Sequence, residues 1–266
     1  MIGRAQRNHA VDIHAAVILS NHYHLLISVQ TALQLASFMR EVNSNLAKEA
    51  GRLYGWRDRF WGRRYRATLV SEETEAQVDR MRYVLAQGCK ENLVESPLDW
   101  PGVSCVRALL EGRNLKGIWV DRTRRYRAQR QGISASSNET EQAEEVVFSP
   151  LPCWSSLSPE VYCDRIRNLV EGVEDAAAKA RKNSGMQKAL GARRICRRHP
   201  HHRPVESAKS PAPMFHCATK EVRIHWLAIY REFLGAYREA VSLLRQGVDR
   251  VEFPAGCFPP ALLRPG

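Results

Sequence analysis

Four side chains in this sequence have the types and spacing for chemistry. His22 and His24 lie in "SNHYHLLISV" (20–29), and Tyr83 and Gln87 lie in "RMRYVLAQGCKENLV" (80–94). On a strand, alternate residues share a face, so the two imidazoles project the same way, roughly 6.5–7 Å apart along the chain. Two imidazoles so placed can converge on one cation. Imidazole suits several divalent metals, so the pair alone leaves the ion open, and taken alone it reads better as two ordinary surface histidines. Tyr83 and Gln87 are four residues apart, one above the other on a helix face. A tyrosine hydroxyl is a poor nucleophile unless its electrophile is polarised, and a glutamine one turn away can add an oxygen ligand to the polarising metal. The competing reading of Tyr83 is a half-buried core residue with its hydroxyl exposed.

The elements that must position these groups follow from periodicity. "VDIHAAVILS" (11–20) and "HYHLLISV" (22–29) are rich in branched apolar residues and flank a Ser-Asn turn, which predicts an antiparallel hairpin. From Leu33 to Tyr54 the apolar positions Leu35, Phe38, Met39, Val42, Leu46, Ala50 and Leu53 recur at helical spacing. "GRRYRATLV" (62–70) alternates as a strand does. "SEETEAQVDRMRYVLAQGCKENLV" opens with a serine cap and an acidic first turn, predicting the helix that carries Tyr83 and Gln87, and "SPLDWPG" ends it. Residues 102–112 form a short helix, 132–147 a polar linker, and 158–182 and 219–246 two further helices.

Composition narrows the partner. Lys and Arg number 40 against 28 Asp and Glu, a net charge of +12. Residues 1–130 hold 21 basic and 13 acidic side chains. An excess of this kind suits a polyanion, because each cation placed at a phosphate releases counterions. No apolar run is long enough to span a bilayer, so no membrane partner is expected. Seven scattered cysteines without a CxxC pair fit a reduced, cytoplasmic protein.

Taken in order, "AVILSNHYHLLISV", the helix with "LASFMREVNSNLAKEAG", "RFWGRRYRATLV" and "RMRYVLAQGCKENLVESPLDWPGVS" resemble the single-tyrosine HUH transposases, the IS200-like family, and most closely their repeat-associated branch. The resemblance covers roughly residues 10–105. It implies an α+β fold with a ferredoxin-like antiparallel sheet and helices on one face. It implies His22, His24 and Gln87 as ligands of a divalent metal (Mg²⁺ or Mn²⁺) and Tyr83 as the nucleophile. The implied activity is nicking and strand transfer on single-stranded, hairpin-forming DNA through a 5′-phosphotyrosine, with room for a homodimer. The family has a strand and a helix before the segment that starts here at Val11, and ten residues are too few for both. Relatives also carry Asn-Pro-Val where this chain has Gly88-Cys89-Lys90.

The expected organisation is a catalytic domain over 1–131, a linker over 132–147 and a helical C-terminal extension over 148–266, with "RVEFPAGCFPPAL" (250–262) resembling the tail of longer family members. Arg57, Arg59, Arg63, Arg64 and Arg66 interleave with Phe60, Trp61 and Tyr65, as a single-strand contact requires. Arg122, Arg124, Arg125, Arg127 and Arg130 form a second basic tract suited to DNA. Cys196, His199, His201, His202, His216 and Cys217 invite a zinc reading, but their spacing fits no standard ligand pairs. The alternative to an enzyme is a decayed or domesticated relative that holds nucleic acid without cutting it.

Overall fold

The computed structural model describes residues 1–132, 137–199, 213–248 and 250–260. The chain starts with α1 (Ile2–His9), closed by Ala10 in the left-handed conformation. Then come β1 (Asp12–Ile18), β2 (Tyr23–Ser28) and α2 (Ala32–Tyr54), whose N-cap Thr31 accepts a hydrogen bond from the Gln34 N–H. The segment before Val11 thus forms a helix. Next are β3 (Leu69–Val70), α3 (Thr74–Leu85), α4 (Gln87–Lys90), α5 (Val106–Leu110), β4 (Leu115–Val120) and α6 (Arg122–Arg130). A single turn α7 (Ser137–Thr140), β5 (Glu141–Val146), α8 (Pro159–Asn183), α9 (Ala192–Cys196), β6 (Phe215–His216) and α10 (Lys220–Arg245) complete the order.

The fold is α+β, with small sheets among many helices. β1 and β2 form the antiparallel hairpin read from the sequence. On the other edge of β1, Ser104 and Phe148 each make a bridge, through Val17 and Ile13. Two cores form on the two faces of this hairpin. Ala15, Val17 and Leu19 meet Met81, Val84 and Leu85 of α3 and Ile166, Leu169 and Val170 of α8. Val11, Ile13 and Ala16 meet Phe38, Met39 and Val42 of α2 and Ile2 and Ala5 of α1. The facing residues switch parity between Ile13 and Ala15, where the register shifts by one residue. A β-bulge does this by adding an unpaired residue to one strand. That residue is His14, buried, with Nδ1 donating to the Ser149 carbonyl at 3.0 Å and Nε2 accepting from the Ser28 hydroxyl at 2.8 Å.

Five sequence expectations need correction. In place of one ferredoxin-like sheet with helices on one face, the described residues form three two-stranded sheets, and helices pack on both faces of the β1–β2 hairpin. Of the strand expected over 62–70, only Leu69–Val70 is a strand, paired in parallel with Phe215–His216. A strand needs a neighbouring ladder, and residues 62–68 are instead fixed through rings, with Tyr65 against the α2 side of the hairpin. The helix expected from Ser71 is capped at Glu73 and is interrupted at Ala86, so Tyr83 lies on α3 and Gln87 opens α4. The linker expected over 132–147 contains β5, antiparallel to β4 along its whole length. Its acidic residues have partners: Glu144 is buried and pairs with Arg4 and Arg7 of α1, the latter at 2.8 Å. A boundary at residue 148 also does not separate two cores, because α8 completes the one beneath α3. Residues 133–136 and the tail beyond residue 260 lie outside the described residues.

Candidate active site

The hairpin sets the direction of its histidines. Tyr23, Leu25 and Ile27 face α2, while Leu26 faces α3, so His24 shares the α3 face. His22 lies just before β2, and its carbonyl accepts the Leu19 N–H at 2.8 Å, which closes the turn. The Trp100 indole N–H donates to the Ile18 carbonyl at 2.9 Å, anchoring the Asp-Trp-Pro stretch to the same end of the hairpin. The His22 and His24 rings stand 5.0 Å apart, edge to face. His24 in turn stands 5.5 Å from the Tyr83 ring at an interplanar angle of 90°. A turn, a strand and a helix thus bring three sequence-expected groups together.

Gln87 joins them. It is buried, and its Nε2 donates to the Tyr83 carbonyl at 2.8 Å. With the amide nitrogen so committed, its oxygen is left for the His24 ring, with which it shares a hydrogen bond. Burial is the main force lowering the basicity of His24, to about 4, with the His22, Lys90 and Arg80 charges adding to it and the Gln87 bond opposing. Burial also lowers the pKa of His22, against the pull of Glu91. Both imidazoles are therefore neutral near pH 7, the form that ligates metal. Two neutral imidazoles and an amide oxygen fit a divalent cation, and the donor set contains no carboxylate. Asn21 Oδ1 lies 2.6 Å from His22 Nδ1, which orients that ring from behind and leaves Nε2 free to ligate.

Two cations at Tyr83 were not singled out in the sequence. The Arg80 guanidinium carbon lies 5.0 Å from the Tyr83 ring centroid and the Lys90 ammonium 4.9 Å from it. Spacing held part of the signal, since Arg80 lies three before Tyr83 on the same helix face, whereas Lys90 reaches the ring from α4, beyond the break at Ala86.

The other face of β2 organises the aromatic and basic segment. The Tyr23 hydroxyl donates to Asn43 Oδ1 at 2.8 Å, and the Trp61 indole donates to the Asn43 carbonyl at 2.8 Å. Arg57, Arg59, Arg63, Arg64 and Arg66 are all exposed around these partly buried rings. Arg64 stacks on Tyr65 and on Phe258 of the tail. In the second tract, Arg124, Arg125, Arg127 and Arg130 are exposed on α6, which buries none of its residues. Arg122 differs: both Glu49 carboxylate oxygens accept from its Nε, at 2.7 and 2.9 Å, so its charge is spent on α2. The zinc reading finds no support: among the described residues no three His, Cys, Asp or Glu side chains converge, and His216 pairs with Asp79 at 3.2 Å. His201 and His202 lie outside the described residues. No described helix is long and apolar enough to cross a membrane.

Comparison with known proteins gives one match. Residues 1–87 match the family described as "Transposase IS200 like". The matched segment contains His22, His24, Tyr83 and, as its last residue, Gln87. No curated protein and no solved structure matches the chain.

Proposed function

We propose that the chain is an IS200-like transposase, as the match of residues 1–87 to that family supports, and that it nicks single-stranded, hairpin-forming DNA and joins it to a second strand through a 5′-phosphotyrosine on Tyr83. The family match supports DNA transposition as the general process, and the grouping of side chains at the candidate site supports the chemistry. The observation that carries it is the His22–His24–Tyr83 arrangement, with ring centroids 5.0 and 5.5 Å apart and drawn from separate elements.

In the first step the Tyr83 hydroxyl oxygen forms a bond to phosphorus and the bond from phosphorus to the 3′ oxygen breaks. The phenol gives up one proton and the departing 3′ oxygen gains one, so charge and protons balance. In the second step a different 3′ hydroxyl attacks the phosphotyrosine and restores Tyr83. The diester bond is exchanged rather than hydrolysed, so no nucleotide need be consumed. A divalent ion such as Mg²⁺ or Mn²⁺, held by His22, His24 and Gln87, would polarise the scissile phosphate. The Gln87 nitrogen is tied to the Tyr83 carbonyl, so its oxygen is the atom that would serve as the ligand. The exposed arginines at 57–66 and on α6 hold the strand electrostatically, and Trp61, fixed through Asn43, sits among them.

The test uses a pool of DNA hairpins with single-stranded random tails and Mn²⁺. The expected product is a protein–DNA adduct that survives denaturing electrophoresis. Tyr83→Phe removes the hydroxyl proposed to make the ester while keeping the ring, and should abolish the adduct while binding persists. A wild-type protein that binds the pool without forming an adduct would leave the non-cutting relative as the correct reading.

A further inference from the structure

We propose that Arg80 and Lys90 form a cationic cradle that grips the phosphodiester attacked by Tyr83; this rests on reading Tyr83 as the nucleophile. Both side chains reach the same ring, at 5.0 and 4.9 Å from its centroid, one from α3 and one from the end of α4. Cation–π attraction explains a cation over a ring. It does not explain two of them without a counter-ion. Among the described residues neither Arg80 nor Lys90 has an ion-pair partner, although Asp79 beside Arg80 pairs with Arg82 and His216. Nor does it explain the Arg80 Nε–H, which is shut off from solvent and has no hydrogen-bond partner. A buried donor of this kind costs free energy until an acceptor arrives.

A phosphodiester supplies the missing counter-ion through the outer guanidinium nitrogens and the ammonium. The guanidinium is a planar fork matched to two non-bridging oxygens, and the ammonium on an exposed stem adds a movable point charge. Negative charge builds on those oxygens as the Tyr83 oxygen approaches phosphorus. Fixed cations beside the nucleophile therefore stabilise the transition state more than the ground state. Lys90 is the last residue of α4. Its helix is seated by Gly88, where an added Cβ would lie 2.8 Å from Val94 and 3.2 Å from Trp100. Close packing at Gly88 fixes the turn that points Lys90 back at the ring.

The test separates binding from chemistry. Binding of the hairpin pool is measured against salt in a Tyr83→Phe background, with Arg80→Gln or Lys90→Gln added. Adduct formation is measured for the same two substitutions with Tyr83 present. Each substitution should flatten the slope of log affinity against log salt by about 0.7, the loss of one phosphate contact on a single strand. Arg80→Gln should slow adduct formation roughly 100-fold, with Arg80→Lys partly restoring it. Lys90 is exposed, so Lys90→Gln keeps the idea testable if Arg80→Gln fails to fold. Unchanged slopes together with wild-type adduct rates would overturn the cradle and leave the nucleophile reading standing. Flattened slopes from a protein that forms no adduct at all would uphold phosphate binding and overturn the nucleophile.

Discussion

The imidazole of His24 stands perpendicular to the ring of Tyr83, centroids 5.5 Å apart, and both lie beside Arg80 and Lys90. Such a site is crowded with positive charge before any metal enters, and its ligand set lacks a carboxylate. A divalent cation should therefore bind weakly to the free protein and more tightly once a phosphate is present. By linkage, Mn²⁺ must then raise DNA affinity by the same factor that DNA raises Mn²⁺ affinity. We expect at least tenfold in each direction for Tyr83→Phe, about 1.4 kcal/mol of coupling. Calorimetric titration of Mn²⁺ with and without hairpin DNA checks it; equal affinities in the two titrations would remove the metal from the DNA site. His24→Ala should abolish the coupling, while chelation of the metal should leave the salt-dependent part of DNA binding intact.

Glu73 clamps the C-terminal helix to the start of the tyrosine helix. Its carboxylate accepts from the Ser71 hydroxyl, from the Ala218 and Thr219 N–H groups and from the Thr219 hydroxyl. These bonds, Ser71 first and Thr219 next, hold its pKa below the ordinary 4.5. A depressed carboxylate stabilises the folded arrangement fully above its unfolded value and loses that contribution as pH falls through the folded one. Docking of α10 should thus loosen below about pH 4.5, where unfolded Glu73 takes up its proton. Hydrogen exchange over residues 213–248 at descending pH reads this directly. Glu73→Gln should show the loosened pattern already at pH 7, with little further change on acidification from this residue.

Gly3 tests whether α1 and β5 form one unit with the hairpin. A Cβ at Gly3 would lie 2.1 Å from the Glu145 carbonyl oxygen, an approach that backbone movement alone can relieve. Gly3→Ala should destabilise the protein by about 1–3 kcal/mol, the usual cost of overpacking. Gly117→Ala on β4 meets nothing within 4 Å and serves as the control. Matching denaturant midpoints for the two variants would mean that α1 does not pack on β5 in solution.

The grouping of the four candidate side chains was legible in the sequence further than the elements that support them were. Period-two and period-3.6 patterns are local, so His22 and His24 could be placed at a hairpin and Tyr83 on a helix from the residues alone, but the break at Ala86 that puts Gln87 on α4 left no such signal. The bulge at His14 was hidden because its cause is distant, the Ser149 carbonyl, and no alternation rule registers one extra residue. Glu141–Val146 reads as linker because its acidic side chains look solvated, whereas Glu144 is matched by Arg4 and Arg7 across more than a hundred residues. The 62–70 segment errs in the opposite direction: alternation suggests a strand, yet pairing decides, and only Leu69–Val70 finds a partner. Arg122 illustrates the same limit for charge. Its composition-based promise as a DNA contact fails to register Glu49.

That last pair yields a prediction about which arginines touch DNA. Single-strand binding loses affinity with salt in proportion to the phosphates contacted, about 0.7 of log–log slope for each. Arg63 and Arg64 are exposed and lack carboxylate partners among the described residues, so replacing both by Ala should flatten the slope by about 1.4. Arg124 and Arg125 on α6 should behave alike. Arg122→Ala should leave the slope nearly unchanged, because both Glu49 oxygens already hold the Arg122 Nε, and Arg52 remains to pair with Glu49 once Arg122 is gone. Its effect should fall instead on the attachment of α6 to α2, read as faster proteolysis within 115–132. The informative comparison is Glu49→Gln, which keeps the size of the side chain and frees the Arg122 charge. It should steepen the slope if α6 faces the DNA and leave it unchanged if α6 faces away. A flatter slope for Arg122→Ala than for the Arg63 and Arg64 double variant would invert this ranking and place the strand along α6 rather than along the Trp61 segment.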